Sequence, residues 1–446
     1  MVWGVLTAAL FAIGGCRKGA PDGVRRIALL PFEYQGSEIG NRWLADALET
    51  AAADQMRGVP DVIPLRATDA GSAAVLGATE ALRGIVSGGP EALRIQLYRE
   101  NLTSSQVRPL GNGRPIPLGE ALPELRRLLE AAGAAGAPFS TANPKAFEAF
   151  GRALRATDTA QAISLLGEAL SLAPRFTSAS LRLAALYQRN GEIGKAEQEA
   201  GRLLKALPAD RALDRAYAEL QLASFRKNDA EIESALAGVV KAAPHDLEAA
   251  NRLAVIYQQR RRYGDAVKLL REMAKTDRRN PALWNQIAYA EAFGGNRPGA
   301  MEALGEYRKL NPADPNVEDS TGDVLFFFGK FAEAAESYEK AHKLGPKWQG
   351  GFALFKAAWA RMYADDLAAA DSRMEQYLAL LRTANKQMAE LRAAQWQFLR
   401  GRRAEARSSL TAILGQGSLA RPYRGLVASQ LYVWDIAEGR LAQLVA

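Results

Sequence analysis

The 446-residue chain is poor in the side chains most used for thiol and metal chemistry: it has one cysteine, Cys16, and two histidines, His245 and His342. One thiol cannot close an internal disulfide or build a cysteine zinc site, and two histidines exclude a multi-histidine metal centre. No metal and no cofactor is expected. His245-Asp246 follows Pro244 in a turn with no serine placed by sequence to complete a triad, and His342 follows the small Ala341, so both read as structural or solvated. Long apolar runs are also missing. The best, residues 2–13, would rise about 18 Å as a helix, against the roughly 30 Å hydrocarbon core of a bilayer.

Charge is present but uneven. Lys and Arg number 57 against 49 Asp and Glu, and residues 1–140 hold 14 of each sign, so the whole net charge of +8 falls in residues 141–446. Nucleic-acid binding would want basic clusters aligned with stacking aromatics on one face. Arg260-Arg261-Arg262, Arg278-Arg279 and the group Arg400, Arg402, Arg403, Arg407 instead lie at helix ends and turns, where cations complement the helix dipole. No nucleic-acid partner is expected, and an anionic lipid or polymer surface is the better functional alternative.

Residues 2–13, VWGVLTAALFAI, have the length and apolarity of a signal-peptide core, and Ile13-Gly14-Gly15-Cys16 follows directly. That run resembles the bacterial lipobox, in which a cysteine behind small residues is lipidated and becomes the mature amino terminus. No Lys or Arg precedes the apolar run, a departure from the usual positive start. The resemblance implies a signal peptide at 1–16, a tether at 17–23 and a lipid-anchored envelope protein. Arg17, where an Asp would favour the inner membrane, points to the outer membrane and the periplasm.

Residues 24–133 read as a small α/β module. VRRIALLPFEY (24–34) is a buried-strand pattern broken by Pro31, DVIPL (61–65) is a second strand, and residues 81–88 and 92–101 form a hairpin through Gly88-Gly89-Pro90. Residues 40–56 place Trp43, Leu44, Leu48, Ala51 and Ala52 on one helical face, and 119–132 do the same with Leu122, Leu125, Leu128 and Leu129. Gly111-Asn112-Gly113 is a turn signal and not a phosphate loop. The segments IALLPFE (27–33), WLADAL (43–48), DVIPL and GIVSG (84–88) resemble the TolB-type amino-terminal domain. The Ala-, Gly- and Pro-rich stretch at 134–142 has linker composition.

Proline then recurs at 174, 208, 244, 312 and 346, with spacings of 34, 36, 68 and 34. A period of 34 with small and bulky residues in phase is the signature of helix-turn-helix repeats. The side chains in phase are Leu183, Ala184, Tyr187, Ala196 and Pro208; Leu253, Ala254, Tyr257 and Ala266; Trp284, Ala288, Ala300 and Pro312; and Gly322, Phe331, Ala334, Tyr338 and Pro346. These resemble the tetratricopeptide repeat. The predicted fold is mainly α: a tetratricopeptide α-α superhelix of about seven or eight hairpins at 143–420, a capping helix at 421–446, and the α/β domain in front.

The resemblance implies a concave wall made by the first helix of each hairpin. Matching its positions gives Arg189, Asn251, Gln258, Asn285, Tyr289, Phe293, Asp319, Asp323 and Phe326 as candidate partner-binding residues for proteins or extended peptides, with the membrane reached through the lipid. The expected function is a non-catalytic envelope scaffold. One alternative is a ligand-sensing or enzymatic α/β module with the repeats as a regulatory arm, which would need convergent acid, base or nucleophile groups in 24–133. Another is a cytoplasmic or inner-membrane regulatory repeat protein, which would need Cys16 unmodified. Radiolabelled palmitate is expected to enter the wild-type chain and not Cys16→Ser; equal labelling of both would remove the lipid anchor.

Overall fold

A computed structural model of the chain describes residues 24–111, 113–417 and 419–440. The signal segment, Cys16, the tether, Asn112 and the last six residues lie outside the described residues. Among those described, no helix is long and apolar enough to cross a membrane. The chain divides into two compact units, residues 1–283 and 284–446.

The first unit opens with a mixed sheet of β1 (Arg25–Leu29), β2 (Glu33–Tyr34), β3 (Val62–Arg66), β4 (Glu80–Ser87), β5 (Arg94–Asn101) and β6 (Gln106–Pro109). The order is β3-β1-β4-β5-β6, with β2 also pairing with β4. β1 runs parallel to β3 and β4, while β4 and β5 form the expected antiparallel hairpin with Ser87 opposite Arg94. Pro64 sits in β3, an edge strand, where a missing N–H donor costs least. Helices α1 (Trp43–Arg57) and α3 (Ala121–Ala131) cover one face with the side chains that their sequence periodicity selects. The short α2 (Ala70–Val75), capped by Asp69 and Ser72, packs Ala73 near Ala28 and Ala81 on the other.

Four helical hairpins complete this unit among the described residues: α4 (Pro144–Arg155) with α5 (Thr159–Leu172), α6 (Thr177–Arg189) with α7 (Ile193–Ala206), α8 (Ala212–Arg226) with α9 (Asp229–Ala242), and α10 (Leu247–Gln259) with α11 (Tyr263–Thr276). The α/β module is not a separate body. One apolar core runs from Ile27 and Trp43 through Phe147 and Phe150 to Leu183. Asp46 pairs with Arg155 at 2.8 Å, and Arg26 holds both oxygens of Asp277, just past α11, at 2.5 and 2.6 Å.

This corrects the linker reading of 134–142. Ala134 is fully buried, Gln55 Nε2 donates to the Ala137 carbonyl at 2.5 Å, Arg126 donates to that of Gly136 at 3.2 Å, and Arg211 donates to that of Pro138. Small residues make this stretch flexible as an isolated chain, but they also let it lie close against helices.

The second unit contains α12 (Pro281–Phe293, counted here from Trp284) with α13 (Arg297–Leu310), α14 (Pro315–Phe327) with α15 (Phe331–Leu344), α16 (Phe352–Tyr363) with α17 (Leu367–Ala384), α18 (Lys386–Leu399) with α19 (Arg403–Leu414), and a single helix α20 (Arg421–Ala437). Asp314 and Asn385 cap α14 and α18, and Pro315 fits the first turn of α14. A turn at Trp348–Gly351 with Gln349, Gly350 and Gly351 in left-handed conformation delays α16, so it starts 37 residues after α14 and not 34. Helix α20 buries Val427 and Trp434 but exposes Leu426, Tyr432, Val433 and Ile436, a more apolar outer face than a polar cap would show.

The junction of module and repeats hinges on Gly151. A Cβ there would come within 2.3 Å of the buried Trp43 ring and 3.0 Å of Ala47. Gly151→Ala is expected to lower the urea midpoint by about 1–3 kcal/mol of stability through overpacking. Gly167→Ala in α5 meets open space and should raise it by roughly 0.5–1 kcal/mol. Equal responses at the two sites would show that Trp43 does not pack on the α4 backbone as described.

Candidate functional site

The 34-residue period places equivalent residues at one level of successive first helices. Tyr217 in α8, Asn251 in α10, Asn285 in α12 and Asp319 in α14 follow one another at that interval. The late start of α16 then brings Lys356, its fifth residue as Asp319 is the fifth of α14, to the next place.

In the second unit these side chains meet. Lys356 Nζ donates to Asp319 Oδ2 at 2.7 Å and to Asp323 Oδ1 and Oδ2 at 2.9 and 3.1 Å. The hydroxyls of Tyr289 and Tyr338 donate to the two oxygens of Asp323 at 2.8 Å each, and Lys356 lies 5.4 Å from the centre of the Tyr338 ring. Gly322 makes this possible: a Cβ there would stand 2.5 Å from Tyr338, so only a bare backbone lets the ring lie against α14 with its hydroxyl on Asp323.

Two carboxylates and one ammonium leave a net negative charge in a nearly dry site. Burial, with Asp323 adding and Lys356 opposing, pushes the Asp319 carboxyl up to about 6. Burial would lower the Lys356 ammonium, but the charges of Asp323 and Asp319 more than reverse that. The phenols of Tyr289 and Tyr338 are raised, first by burial and then by Asp323, so both remain protonated donors. Asp319 and Asp323 bond inward to Lys356 and the two phenols. The cluster therefore clamps α12, α14, α15 and α16 and presents no nucleophile–base pair.

Beside the clamp runs a ladder of rings. Tyr289 stacks on Phe293 at 6.1 Å, Phe293 meets Phe327 edge-on at 5.7 Å, Phe326 meets Tyr363 at 5.5 Å, and Trp359 lies 6.2 Å from Tyr363 and 6.3 Å from Trp396. These contacts carry the ladder from α12 across α14 and α16 to α18. Phe293, Phe327 and Tyr363 are 42%, 54% and 53% exposed, while Asn285 Oδ1 and Trp359 Nε1 are buried with no hydrogen-bond partner among the described residues.

Of the nine sequence-derived residues, the structure joins Tyr289, Asp319 and Asp323 in the clamp, sets Phe293 and Phe326 in the ladder, and leaves Asn285 half-buried on α12. Arg189 and Gln258 lie on α6 and α10 of the first unit, exposed and half-buried, and Asn251 Oδ1 is buried without a partner. Sequence reasoning missed Lys356, Tyr338, Phe327 and Tyr363. Gly350-Gly351 behind Pro346 was the available sign of a phase shift, and the run Phe326-Phe327-Phe328 was a sign of surplus aromatic surface.

Paired antiparallel helices repeating near every 34 residues, with Ala184, Ala254, Ala288 and Gly322 at the equivalent small positions, define a tetratricopeptide-type helical repeat protein. Residues 153–221 match the tetratricopeptide repeat family. Among solved structures the chain is similar to one described as the crystal structure of MamA protein, at 18% identity over 40% of this chain and 96% of that one, with a TM-score of 0.34. It is also similar to YrrB, described as a TPR protein with an unusual peptide-binding site, at 13% identity over 44% of this chain and 97% of that one, with a TM-score of 0.35. No curated protein sequence matches.

The clamp predicts a definite pH response. Asp319 titrates higher when folded than the ordinary unfolded value of about 3.9, so the stability its protonation contributes is complete below that pH and is lost as pH rises through about 6. Lys356→Met removes the only cation that these two carboxylates bond among the described residues, and should cost about 3–5 kcal/mol at pH 8. The loss should shrink at pH 5, where Asp319 takes up a proton, and most of that pH dependence should vanish in Lys356→Met/Asp319→Asn. Thermal unfolding of the three chains at both pH values decides it; a pH-independent loss would sink the coupling.

Proposed function

We propose that this chain is a non-catalytic scaffold of the bacterial cell envelope that binds an extended segment of a partner protein along the first helices of its second unit. The observation that carries the reading is the exposed ladder of Phe293, Phe327 and Tyr363 along the first helices of the second unit. Aromatic residues dominate binding energy at protein interfaces because they bury large area at little rotamer cost. The clamp beneath fixes the helices that carry these groups, so little ordering entropy remains to oppose association.

The cellular setting rests on the sequence: an apolar segment too short to span a bilayer, and a single cysteine behind Ile13-Gly14-Gly15. Lipidation of Cys16 would tether the repeats at a membrane surface, and Arg17 favours the outer membrane, facing the periplasm. The resemblance of the α/β module to TolB-type domains supports the same compartment.

Phe327 and Tyr363 lie outside the clamp, so they test the surface without dismantling its support. A photo-crosslinking amino acid in place of Phe327 is expected to capture a discrete partner in intact cells. Phe327→Ala/Tyr363→Ala should then weaken that partner's binding by about 10- to 100-fold with an unchanged melting temperature, the loss of two hot-spot side chains. Undiminished affinity in the double variant would overturn the assignment of this surface.

A further inference from the structure

A cavity of about 420 Å³ opens in the first unit between the end of α1, the 137–141 connection and the starts of α6 and α8. That volume falls within the roughly 300–1,000 Å³ typical of small-molecule sites. Phe139, Phe147, Phe150, Phe176 and Tyr217 supply aromatic lining.

The charged groups on this wall are mostly engaged with one another. Asp54 accepts from Ser178 at 2.5 Å and pairs with Arg57 at 3.3 Å, and the Arg57 guanidinium lies 5.5 Å from the centre of the Tyr217 ring. Arg211 is held by Asp214 at 2.5 Å. Arg182, on α6, differs: among the described residues no carboxylate lies within ion-pair distance of it, and no hydrogen bond satisfies its guanidinium. Asp210, also on the lining, is exposed and forms no ion pair with it. Arg182 is exposed at the cavity rim, and the desolvation it does undergo, with the like charge of Arg189 two turns further along α6, lowers its pKa. An exposed guanidinium with no counter-charge among the described residues, at the rim of an apolar cavity, is free to take the anion of a ligand whose body enters that cavity.

We propose that this cavity is a binding site for a small monocarboxylate with an aromatic or aliphatic body, its carboxylate on Arg182 and its body against Phe139, Phe176 and Tyr217. The planar guanidinium fork matches a carboxylate in two parallel hydrogen bonds. A dianion such as phosphate is disfavoured, because Arg57 and Arg211 are already engaged while Asp54 and Asp214 stand in the same wall. The site is separate from the aromatic ladder and stands whether or not that surface binds a partner.

The carboxylate can come from a free organic acid or from the carboxyl terminus of a peptide, and titration calorimetry on the full chain separates the two. The probes are phenylbutyrate and N-acetyl-Ala-Ala-Phe, the peptide both as free acid and as carboxamide. Saturable binding of phenylbutyrate alone assigns the site to free acids, and binding of the free-acid peptide as well admits peptide termini. In either case Arg182→Gln should weaken binding by about tenfold or more, the loss of a charge-assisted pair. Arg182→Lys should fall between, and Tyr363→Ala should leave the titration unchanged. Absence of binding by every probe, equal binding of acid and carboxamide, or wild-type affinity in Arg182→Gln would overturn the proposal.

Discussion

Aromatic rings laid directly on bare helix backbone set the geometry in both units. At Gly151 the ring is Trp43, and its seat on α4 lets one apolar core run from the sheet into the first hairpins. At Gly322 the ring is Tyr338, and the missing Cβ brings α14 and α15 close enough for the phenol to reach Asp323. Glycine inside a helix costs about 1 kcal/mol relative to alanine. In each case a large ring buried in van der Waals contact offsets that cost, since a Phe or Trp side chain buries some 150–250 Å². Neither site takes even a methyl group without displacing a buried ring.

The polar clamp follows from the second of these contacts. Once Tyr338 is seated, Asp323 accepts from two phenols and from Lys356, and Lys356 is drawn to Asp319 as well. Buried ion pairs add little net stability over apolar packing of the same volume, yet breaking one is costly. Such a cluster is therefore a device for fixing relative position. It ties four helices at one level, and the rings of Phe293, Phe327 and Tyr363 are carried by three of them. The excess negative charge falls on Asp319, whose pKa is raised first by burial and further by Asp323, against the opposing pull of Lys356.

Much of this was readable in the sequence, because helical repeats express their packing as periodicity. The 34-residue interval located the hairpins, the apolar faces of α1 and α3 appeared as spaced Trp and Leu residues, and Gly88 marked the β4–β5 reversal. What stayed hidden has physical causes. β6 is an exposed edge of Gln, Val, Arg and Pro, with no alternation to betray it. The stretch 134–142 has linker composition but makes its bonds through backbone carbonyls, which any residue supplies. Lys356 escaped because three left-handed residues shift the phase of one hairpin, and a fixed period points to Ala353 in its place. Asp319 and Asp323 were found as surface candidates, and only the partner helices reveal that their carboxylates turn inward.

The same register position is used differently along the first helices of the two units. Tyr217 occupies in α8 the place that Asn285 and Asp319 occupy in α12 and α14. In the first unit its hydroxyl is committed to Asp246 and its ring to Arg57 of the α/β module, while Ser178 of α6 is committed to Asp54. The chain's own module has taken these side chains. In the second unit the rings of Phe293, Phe327 and Tyr363 keep much of their surface in water. The exposed aromatic surface of the first helices thus lies in the second unit, while those of the first unit line a cavity of about 420 Å³.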